Sequence, residues 1–306
     1  MRRRSVLSAV LVTAGLALSG CAMVDGATND HPTIVVTTNI LGDVVENVVG
    51  EAADVTTLMK RNADPHSFEI SAQEASLMDR ADLVVSNGLG LEEGLQQHLD
   101  RVADTGVPML VAGERIEVID YSEGDAGGTA DPHFWTDPAR MVEVVDALEA
   151  ELVEVDGIDR AAVEAGADRY RDELEELDDE MAAAFATIPA DNRALVTNHH
   201  VFGYLAERFD FRVLGAAIPG GTTLASPSAS DLDGLASAIT EAGVPAIFAE
   251  SSQPDRLVQV LASEAGIDIR VIELFTESLT EPGQGAPSYL EMMRANTERI
   301  VDGLST

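Results

Sequence analysis

The feature that most constrains the fold is a pattern of alternating strand and helix signals, which occurs twice and is interrupted once by a long helix. Short β-branched or apolar runs predict strands at 33–38, 55–59, 83–86, 108–111, 194–197, 212–217, 246–249 and 267–272. Apolar residues at helical spacing predict helices at 40–49, 72–80, 91–102, 138–154, 201–207, 232–242, 255–265 and 289–304. This alternation is typical of parallel sheets covered by helices on both faces, so we predict an α/β fold.

A single long acidic helix is predicted between the two halves, over residues 159–188. Its apolar residues recur at spacings of three and four and form one stripe: Val163, Ala167, Tyr170, Leu174, Leu177, Met181, Phe185 and Ile188. Pro189 ends it. A coiled-coil seam is the alternative interpretation, but the stripe covers only about four heptads between two α/β patterns. We therefore expect a helix that packs along both halves.

The first residues carry the signals of export. A basic start and an apolar run at 6–18 precede Leu18-Ser19-Gly20 and Cys21, which is typical of a secretory signal that is too short to span a bilayer. A Cys after Leu-Ser-Gly resembles the bacterial lipobox, in which the thiol receives a diacylglyceryl group. An ordinary signal peptide with an incidental Cys, or an uncleaved anchor, is the alternative. The predicted domains are a signal peptide (1–20), a lipidated tether (21–32), an N-terminal lobe (33–158), a linking helix (159–188) and a C-terminal lobe (189–306).

Charge and cysteine content exclude several kinds of partner and site. The formal net charge of −35 leaves too few basic groups to neutralise phosphates, so we expect no nucleic-acid partner. Cys21 is the only cysteine, so an intramolecular disulfide is excluded, and a lipidated Cys21 offers no thiolate to a metal. Any metal must be held by histidine and carboxylate side chains.

Three of the six histidines lie in loops that lead into predicted helices, and two of these three follow predicted strands. His66 follows the strand at 55–59, His133 precedes a helix, and His199 follows the strand at 194–197. In open α/β sheets, loops at the carboxyl ends of strands form the ligand-binding edge. Imidazole suits zinc and other first-row metals, which need three or four ligands from separate segments. These three histidines are therefore candidate metal ligands.

The fourth ligand is expected to be a carboxylate. Glu277, after the last predicted strand, is the first choice, and Glu250, after the strand at 246–249, is the alternative. His200 follows His199 and is a weaker candidate. An Asp-Pro pair precedes both His66 and His133, where the proline fixes the backbone and the aspartate can orient the imidazole through its second nitrogen.

These residues resemble the metal-binding lipoproteins of bacterial ABC importers, the zinc/manganese solute-binding family, over nearly the whole chain after the leader. The segments that carry the resemblance are the lipobox, Asn62-Ala63-Asp64-Pro65-His66, Asn87-Gly88-Leu89-Gly90-Leu91-Glu92, Asp131-Pro132-His133-Phe134-Trp135-Thr136-Asp137-Pro138, His199-His200-Val201-Phe202-Gly203-Tyr204, Glu277-Ser278-Leu279 and Tyr289-Leu290-Glu291-Met292-Met293.

The resemblance implies two lobes joined by a rigid helix, with the metal in the cleft between them. His66 and His133 would come from the first lobe, and His199 and Glu277 from the second. It also implies an extracytoplasmic protein, attached to the membrane through Cys21, that delivers metal to an ABC permease; we expect a monomer. Zinc-type members carry His at the third position, whereas manganese-type members usually carry Glu, so we predict Zn²⁺, with Mn²⁺ as the alternative. Glu277 stands where Asp is more usual, and residues 121–130 lack the His-rich loop of many zinc-type members.

Two other classes of function stay open. A surface adhesin with the same fold is one alternative, and it does not exclude transport. A lipid-anchored zinc hydrolase is the other, with water as the fourth ligand and Glu250 or Glu277 as the base. The chain contains neither His-Glu-x-x-His nor Gly-x-Ser-x-Gly, so we predict no enzyme activity.

Overall fold

The computed structural model of the protein describes residues 31–121, 127–218, 220–252, 256–264 and 270–305. The predicted signal peptide, Cys21 and nearly all of the tether lie outside these residues. Also outside are residues 122–126 of the acidic segment 121–130, residues 255 and 265 of the predicted helix at 255–265, and residues 267–269 of the predicted strand at 267–272.

The N-terminal half contains a four-stranded parallel sheet. Its strands are β1 (Thr33–Val36), β2 (Asp54–Thr57), β3 (Leu83–Ser86) and β4 (Met109–Val111), in the order β2-β1-β3-β4. The helices of this half are α1 (Asn39–Val49), α2 (Ala72–Met78), α3 (Gln96–Thr105) and α4 (Pro138–Leu152). Alternate residues of β1 face opposite cores: Ile34 and Val36 pack on the side of α1 and α4, and Val35 packs on the side of α2 and α3. The prediction of a parallel sheet covered on both faces is confirmed here.

The C-terminal half contains two parallel strand pairs. Strand β5 (Ala194–Thr197) pairs with β6 (Arg212–Ala216), and β7 (Ala246–Glu250) pairs with β8 (Arg270–Leu274); β5 also lies beside β7. The helices are α6 (Gly203–Phe209), α7 (Ala229–Ala242), α8 (Arg256–Glu264) and α9 (Tyr289–Leu304). Helix α7 begins three residues before the predicted start because Ser228 and Asp231 form a capping box, which satisfies two backbone donors.

The long central helix, α5 (Arg160–Phe185), lies within the predicted range 159–188. It begins where the Asp159 side chain accepts a hydrogen bond from the backbone of Ala162. Its apolar stripe is buried against α1, α4 and α9 of the same chain. At Gly166 the backbone approaches that of Val48 on α1 so closely that a Cβ would overlap it. The stripe therefore packs along both halves of this chain, as predicted, rather than forming a coiled-coil seam.

Residues 31–306 form one compact unit. One apolar core runs continuously from the N-terminal sheet through α5 to α9, and a second lies between the C-terminal strands and α7 and α8. None of the helices in the described part of the chain is both long and apolar enough to cross a membrane.

Candidate metal centre

Four side chains meet at the carboxyl ends of strands from both halves. His66 lies in the loop between β2 and α2, and His133 immediately precedes the helical turn Phe134–Thr136 that leads into α4. His199 follows β5, and Glu277 follows β8. Each of the four is at most 1 % exposed. The structure thus brings together all four predicted ligands from separate segments.

One carboxylate oxygen lies at a similar distance from all three imidazole Nε2 atoms. Oε1 of Glu277 lies 3.0 Å from Nε2 of His66, 3.3 Å from Nε2 of His133 and 3.2 Å from Nε2 of His199. Nε2 of His133 lies 3.4 Å from Nε2 of His66 and 3.3 Å from Nε2 of His199. The four ligand atoms all lie within 4.8 Å of one another. Within the described residues, this is the only group of three or more His, Cys, Asp or Glu side chains with that geometry.

These separations fit a four-coordinate metal ion. A tetrahedral ion about 2.0–2.1 Å from its ligands sets neighbouring ligand atoms about 3.3–3.4 Å apart. The five separations given above, 3.0–3.4 Å, fall close to that value. In addition, Oε2 of Glu277 is buried and accepts no hydrogen bond from the described residues, which leaves a carboxylate oxygen for a cation. The donor set of three imidazoles and one carboxylate suits zinc and also accommodates manganese.

The second nitrogen of two of the rings faces a carboxylate. Nδ1 of His133 lies 2.7 Å from Oδ1 of Asp131, which also accepts the backbone N–H of His133. Nδ1 of His199 lies 3.1 Å from Oε2 of Glu250, in charge contact although not aligned as a hydrogen bond. Such partners fix the ring orientation and direct Nε2 toward a metal. At His66 the preceding aspartate acts differently, because Asp64 accepts the backbone N–H rather than a ring nitrogen.

The buried carboxylates and imidazoles of the site shift one another's pKa values. Burial lowers the pKa of His199, but Glu250 and Glu277 outweigh it and hold that pKa well above the ordinary range. Burial likewise opposes a charge on His133, while Asp131 and Glu277 raise its pKa. Burial raises the pKa of Glu277, yet the neighbouring histidines bring it well below its usual value. A metal ion held by these residues would therefore have to displace protons from His133 and His199.

The loop that carries Glu277 is fixed by the N-terminal half. Nε1 of Trp135 donates to the carbonyl of Thr276 at 2.8 Å, and the backbone N–H of Leu279 donates to Oδ1 of Asn39 at 2.9 Å. The backbone N–H of Asn62 donates to the carbonyl of Leu279 at 2.9 Å. Glu277 follows a strand of the C-terminal half but is held in place by residues of the other half.

Comparison with known families decides the class of protein. The model of the family described as ZnuA, zinc-uptake complex component A, periplasmic, matches residues 34–303, which include all four clustered residues. The chain belongs to this family. The manganese-binding lipoprotein MntA of Halalkalibacterium halodurans is similar to this chain, with 28 % identity over 306 residues that cover 99 % of each protein.

Solved structures share the fold along almost their whole length. The periplasmic zinc-binding protein TroA from Treponema pallidum superposes with a TM-score of 0.82 at 27 % identity, covering 90 % of this chain and 100 % of that one. A manganese-bound periplasmic metal-binding protein from Candidatus Liberibacter asiaticus superposes with a TM-score of 0.79 at 25 % identity, covering 89 % and 99 %. The two-lobed α/β fold predicted from the resemblance is confirmed.

Glu250 and the other three histidines lie outside the cluster. Glu250 stands behind the His199 ring, on the Nδ1 side, and so contacts a candidate ligand instead of joining the four. His200 points elsewhere, with its ring centroid 6.2 Å from that of Tyr121. His98 is half-buried on α3, and His31 lies at the start of the described residues.

Sequence reasoning missed two contributors to this site. The hydroxyl of Tyr121 lies 3.1 Å from Nδ1 of His133, although the sequence around it showed only an acidic loop. Residues 221–223 contact both Tyr121 and the loops beside His66. These residues come from two irregular segments about one hundred positions apart, and no local pattern connects them.

Proposed function

We propose that this chain captures a divalent transition metal ion outside the cytoplasm and delivers it to the permease of an ABC importer. Zn²⁺ is the first choice of cargo and Mn²⁺ the alternative, and the ligands are His66, His133, His199 and Glu277. A lipid on Cys21 anchors the protein to the membrane, and it acts as a monomer. The observation that carries the proposal is the buried convergence of three Nε2 atoms on one carboxylate oxygen.

The relatives support the transport role and leave the metal open. Both the family description and the TroA title refer to zinc, whereas the similar lipoprotein MntA is named for manganese. Three imidazole donors favour zinc over manganese, because affinity for such sites rises from manganese toward copper along the first-row series. The second oxygen of Glu277 is the feature that favours manganese, since a two-oxygen carboxylate contact adds the oxygen ligation that this ion prefers.

The fourth ligand position favours a protein that binds the metal without catalysing a reaction. A catalytic zinc site keeps that position for water, but here the Glu277 carboxylate faces all three imidazoles. Glu250, the other candidate base, lies against the far nitrogen of His199. We therefore propose a binding protein rather than a zinc hydrolase.

Competitive binding tests the proposal. The protein is titrated with Zn²⁺ and Mn²⁺ against a chelator of known affinity, and the bound metal is counted by elemental analysis. We expect one tightly held ion per chain, with zinc preferred, and a loss of at least a hundredfold in affinity in His66→Ala, His133→Ala and His199→Ala. His98→Ala, outside the cluster, is the matched control. Binding that is unchanged in the three variants would show that the ligand set is wrong, and a preference for manganese would reverse the choice of cargo.

A further inference from the structure

Segment 221–223, which contains Gly221, Thr222 and Thr223, crosses from the C-terminal half to the N-terminal half beside the metal centre. The hydroxyl of Thr222 donates to Oε1 of Glu93 at 2.8 Å. The hydroxyl of Thr223 donates to Oδ2 of Asp64 at 2.7 Å. The carbonyl of Gly221 accepts a hydrogen bond from the hydroxyl of Tyr121 at 3.3 Å. Three consecutive residues thus bond three side chains of the other half.

Two of these side chains also bond a candidate ligand. Oδ1 of Asp64 accepts the backbone N–H of His66 at 2.9 Å, while its other oxygen receives the Thr223 hydroxyl. The Tyr121 hydroxyl that reaches Gly221 also lies 3.1 Å from Nδ1 of His133. Movement of segment 221–223 therefore acts on residues that hold His66 and His133.

Beside this segment, a half-exposed side chain lies close to the buried centre. Oε1 of Glu93, which accepts the Thr222 bond, lies 3.9 Å from Nδ1 of His66. The Glu93 side chain is 46 % exposed, whereas His66 itself is buried. A side chain that reaches solvent thus lies next to the buried ring of His66, and Thr222 of segment 221–223 donates a hydrogen bond to it.

Gly221 allows the segment to pack closely on Tyr121. A Cβ at position 221 would overlap the Tyr121 ring and its hydroxyl oxygen. The backbone of Gly221 is not in the left-handed region, so the glycine serves the close approach rather than the chain conformation. Any larger residue would push the segment away from the N-terminal half.

We propose that segment 221–223 is a latch that slows the escape of bound metal. This inference rests on the proposed function, and it names Thr223, Gly221 and Tyr121 as positioning residues that touch no metal themselves. The three hydrogen bonds must break before segment 221–223 moves away from the N-terminal half, so the latch governs the rate of metal release. In this proposal capture starts from the opened state, in which these bonds are already broken, so their loss should change the rate of capture little.

The first test removes one hydroxyl without changing the shape of the side chain. The full chain, purified in detergent and loaded with Zn²⁺ alone, is mixed with excess chelator, and zinc release is followed by stopped-flow absorbance. We expect Thr223→Val to release zinc about tenfold faster, as loss of a hydrogen bond to a charged acceptor predicts. Thr223→Ser, which keeps the hydroxyl, should release zinc within about twofold of the parent rate. The rates of zinc association should stay within about twofold of the parent rate in both variants. A merely structural role would not change the release rate while leaving the association rate unchanged.

The second test displaces the segment through its backbone. Gly221→Ala should also speed zinc release about tenfold, because the new methyl group meets the Tyr121 ring. Gly234→Ala is the matched control, since Gly234 is exposed on α7 with open space around its Cβ position. This control should release zinc at the parent rate.

The outcomes separate the latch from the proposed function. If the parent chain holds zinc tightly but Thr223→Val and Gly221→Ala release it at the parent rate, the latch is wrong and the metal-binding role stands. If both variants release zinc faster while the two controls do not, the latch is supported. If the parent chain holds no zinc, the proposed function and the latch both fall.

Discussion

At the scale of single residues, the charge on Glu277 and the protons on the histidines depend on one another. Oε1 of Glu277 faces three Nε2 atoms in a buried site, so removal of protons from the rings leaves its charge without compensation unless a cation arrives. The raised pKa values of His133 and His199 mean that the free site holds its protons to a higher pH than ordinary histidines. Metal binding must therefore release protons, and acid must favour metal release.

A change at Glu250 should alter this proton balance. Because Glu250 is the largest influence that raises the pKa of His199, Glu250→Gln should lower that pKa. Fewer protons are then released on zinc binding near pH 7.5, and the affinity falls less steeply as the pH is lowered from 8 to 6. Loss of the orienting carboxylate should also weaken zinc binding about 10–100-fold at pH 8.

Calorimetry in buffers with different protonation enthalpies counts the released protons directly. Glu298→Gln, on the exposed face of α9, is the control and should release as many protons as the parent. An equal proton count in Glu250→Gln would show that Glu250 does not govern His199.

The sequence predicted the residues of the cluster better than their roles. His66 and His199 were identifiable because they follow predicted strands, whose carboxyl ends meet at one edge of a parallel sheet, and His133 because it shares the Asp-Pro-His pattern of His66 before a helix. Glu277 and Glu250 were harder to separate, because each follows a predicted strand. The structure places Glu277 among the Nε2 atoms and Glu250 behind one ring, a difference that depends on the direction of side chains and not on sequence spacing.

At the scale of elements, the loop before α3 supports His133 from a distance. The buried carboxylate of Glu92 accepts hydrogen bonds from the hydroxyl of Thr37 and from the backbone N–H groups of Asn87 and Gly88. Nδ2 of Asn87 then donates to the carbonyl of Pro132 at 3.0 Å, directly before His133. Three consecutive left-handed residues, with φ values of 78°, 55° and 82° at 88–90, shape this loop.

Glu92→Gln tests this support. The amide keeps one acceptor oxygen and places an NH₂ group opposite donors, so at least one buried bond is lost. We expect the free energy of unfolding of the metal-free protein to fall by about 1–3 kcal/mol, measured by urea denaturation. Zinc affinity should fall as well, because the backbone before His133 loses its anchor.

Glu114→Gln, at an exposed position, is the control for this variant and should change neither stability nor affinity. Full stability in Glu92→Gln would show that the buried carboxylate is not needed to hold the loop.

Local chemistry explains which elements could be predicted. The starts predicted at 72 and 138 agree with the structure, where α2 follows the capping box of Ser71 and Glu74 and α4 follows the cap of Asp137 with Pro138 as its first residue. The capping box at Ser228 uses Asp231 in place of the usual Glu or Gln, so the start of α7 was predicted three residues late. Helix α3 likewise begins only at Gln96, after a helical turn at Glu93–Leu95, because the left-handed loop delays it.

At the scale of the whole molecule, α5 and α9 tie the two halves together. Helix α5 is about 39 Å long and packs against α1, α4 and α9, within a core shared by both halves. The lobe boundaries at 158 and 189 stay predictions, because this shared core crosses both of them. A helix fixed along its length resists wide hinge motion.

We therefore expect little change in overall size when metal binds. The radius of gyration from solution scattering should agree within about 0.5 Å between the zinc-loaded and metal-free protein, because the shared core holds the two halves and the radius of a compact chain otherwise depends mainly on its length. A matched sample of His66→Ala with added zinc controls for effects of the ion alone. A large compaction on binding would contradict the rigid connection.

The acidic surface predicts a dependence of stability on salt. A formal net charge of −35 destabilises the compact state through self-repulsion. The screening length falls from about 10 Å at 0.1 M salt to about 3 Å at 1 M, so repulsion between surface carboxylates weakens. The urea midpoint of the metal-free protein should therefore rise over this range. Urea is the suitable denaturant because it carries no charge, and sucrose in place of salt controls for general exclusion effects; an unchanged midpoint would show that the repulsion is negligible.

The most direct test of the central claim is the position of the bound ion. A crystal of the zinc-loaded protein, measured on both sides of the zinc absorption edge, locates the metal by its anomalous signal. We predict one strong peak about 2.0–2.1 Å from Nε2 of His66, His133 and His199, and at a similar distance from a carboxylate oxygen of Glu277. A peak elsewhere, or no peak in the buried cluster, would contradict the account.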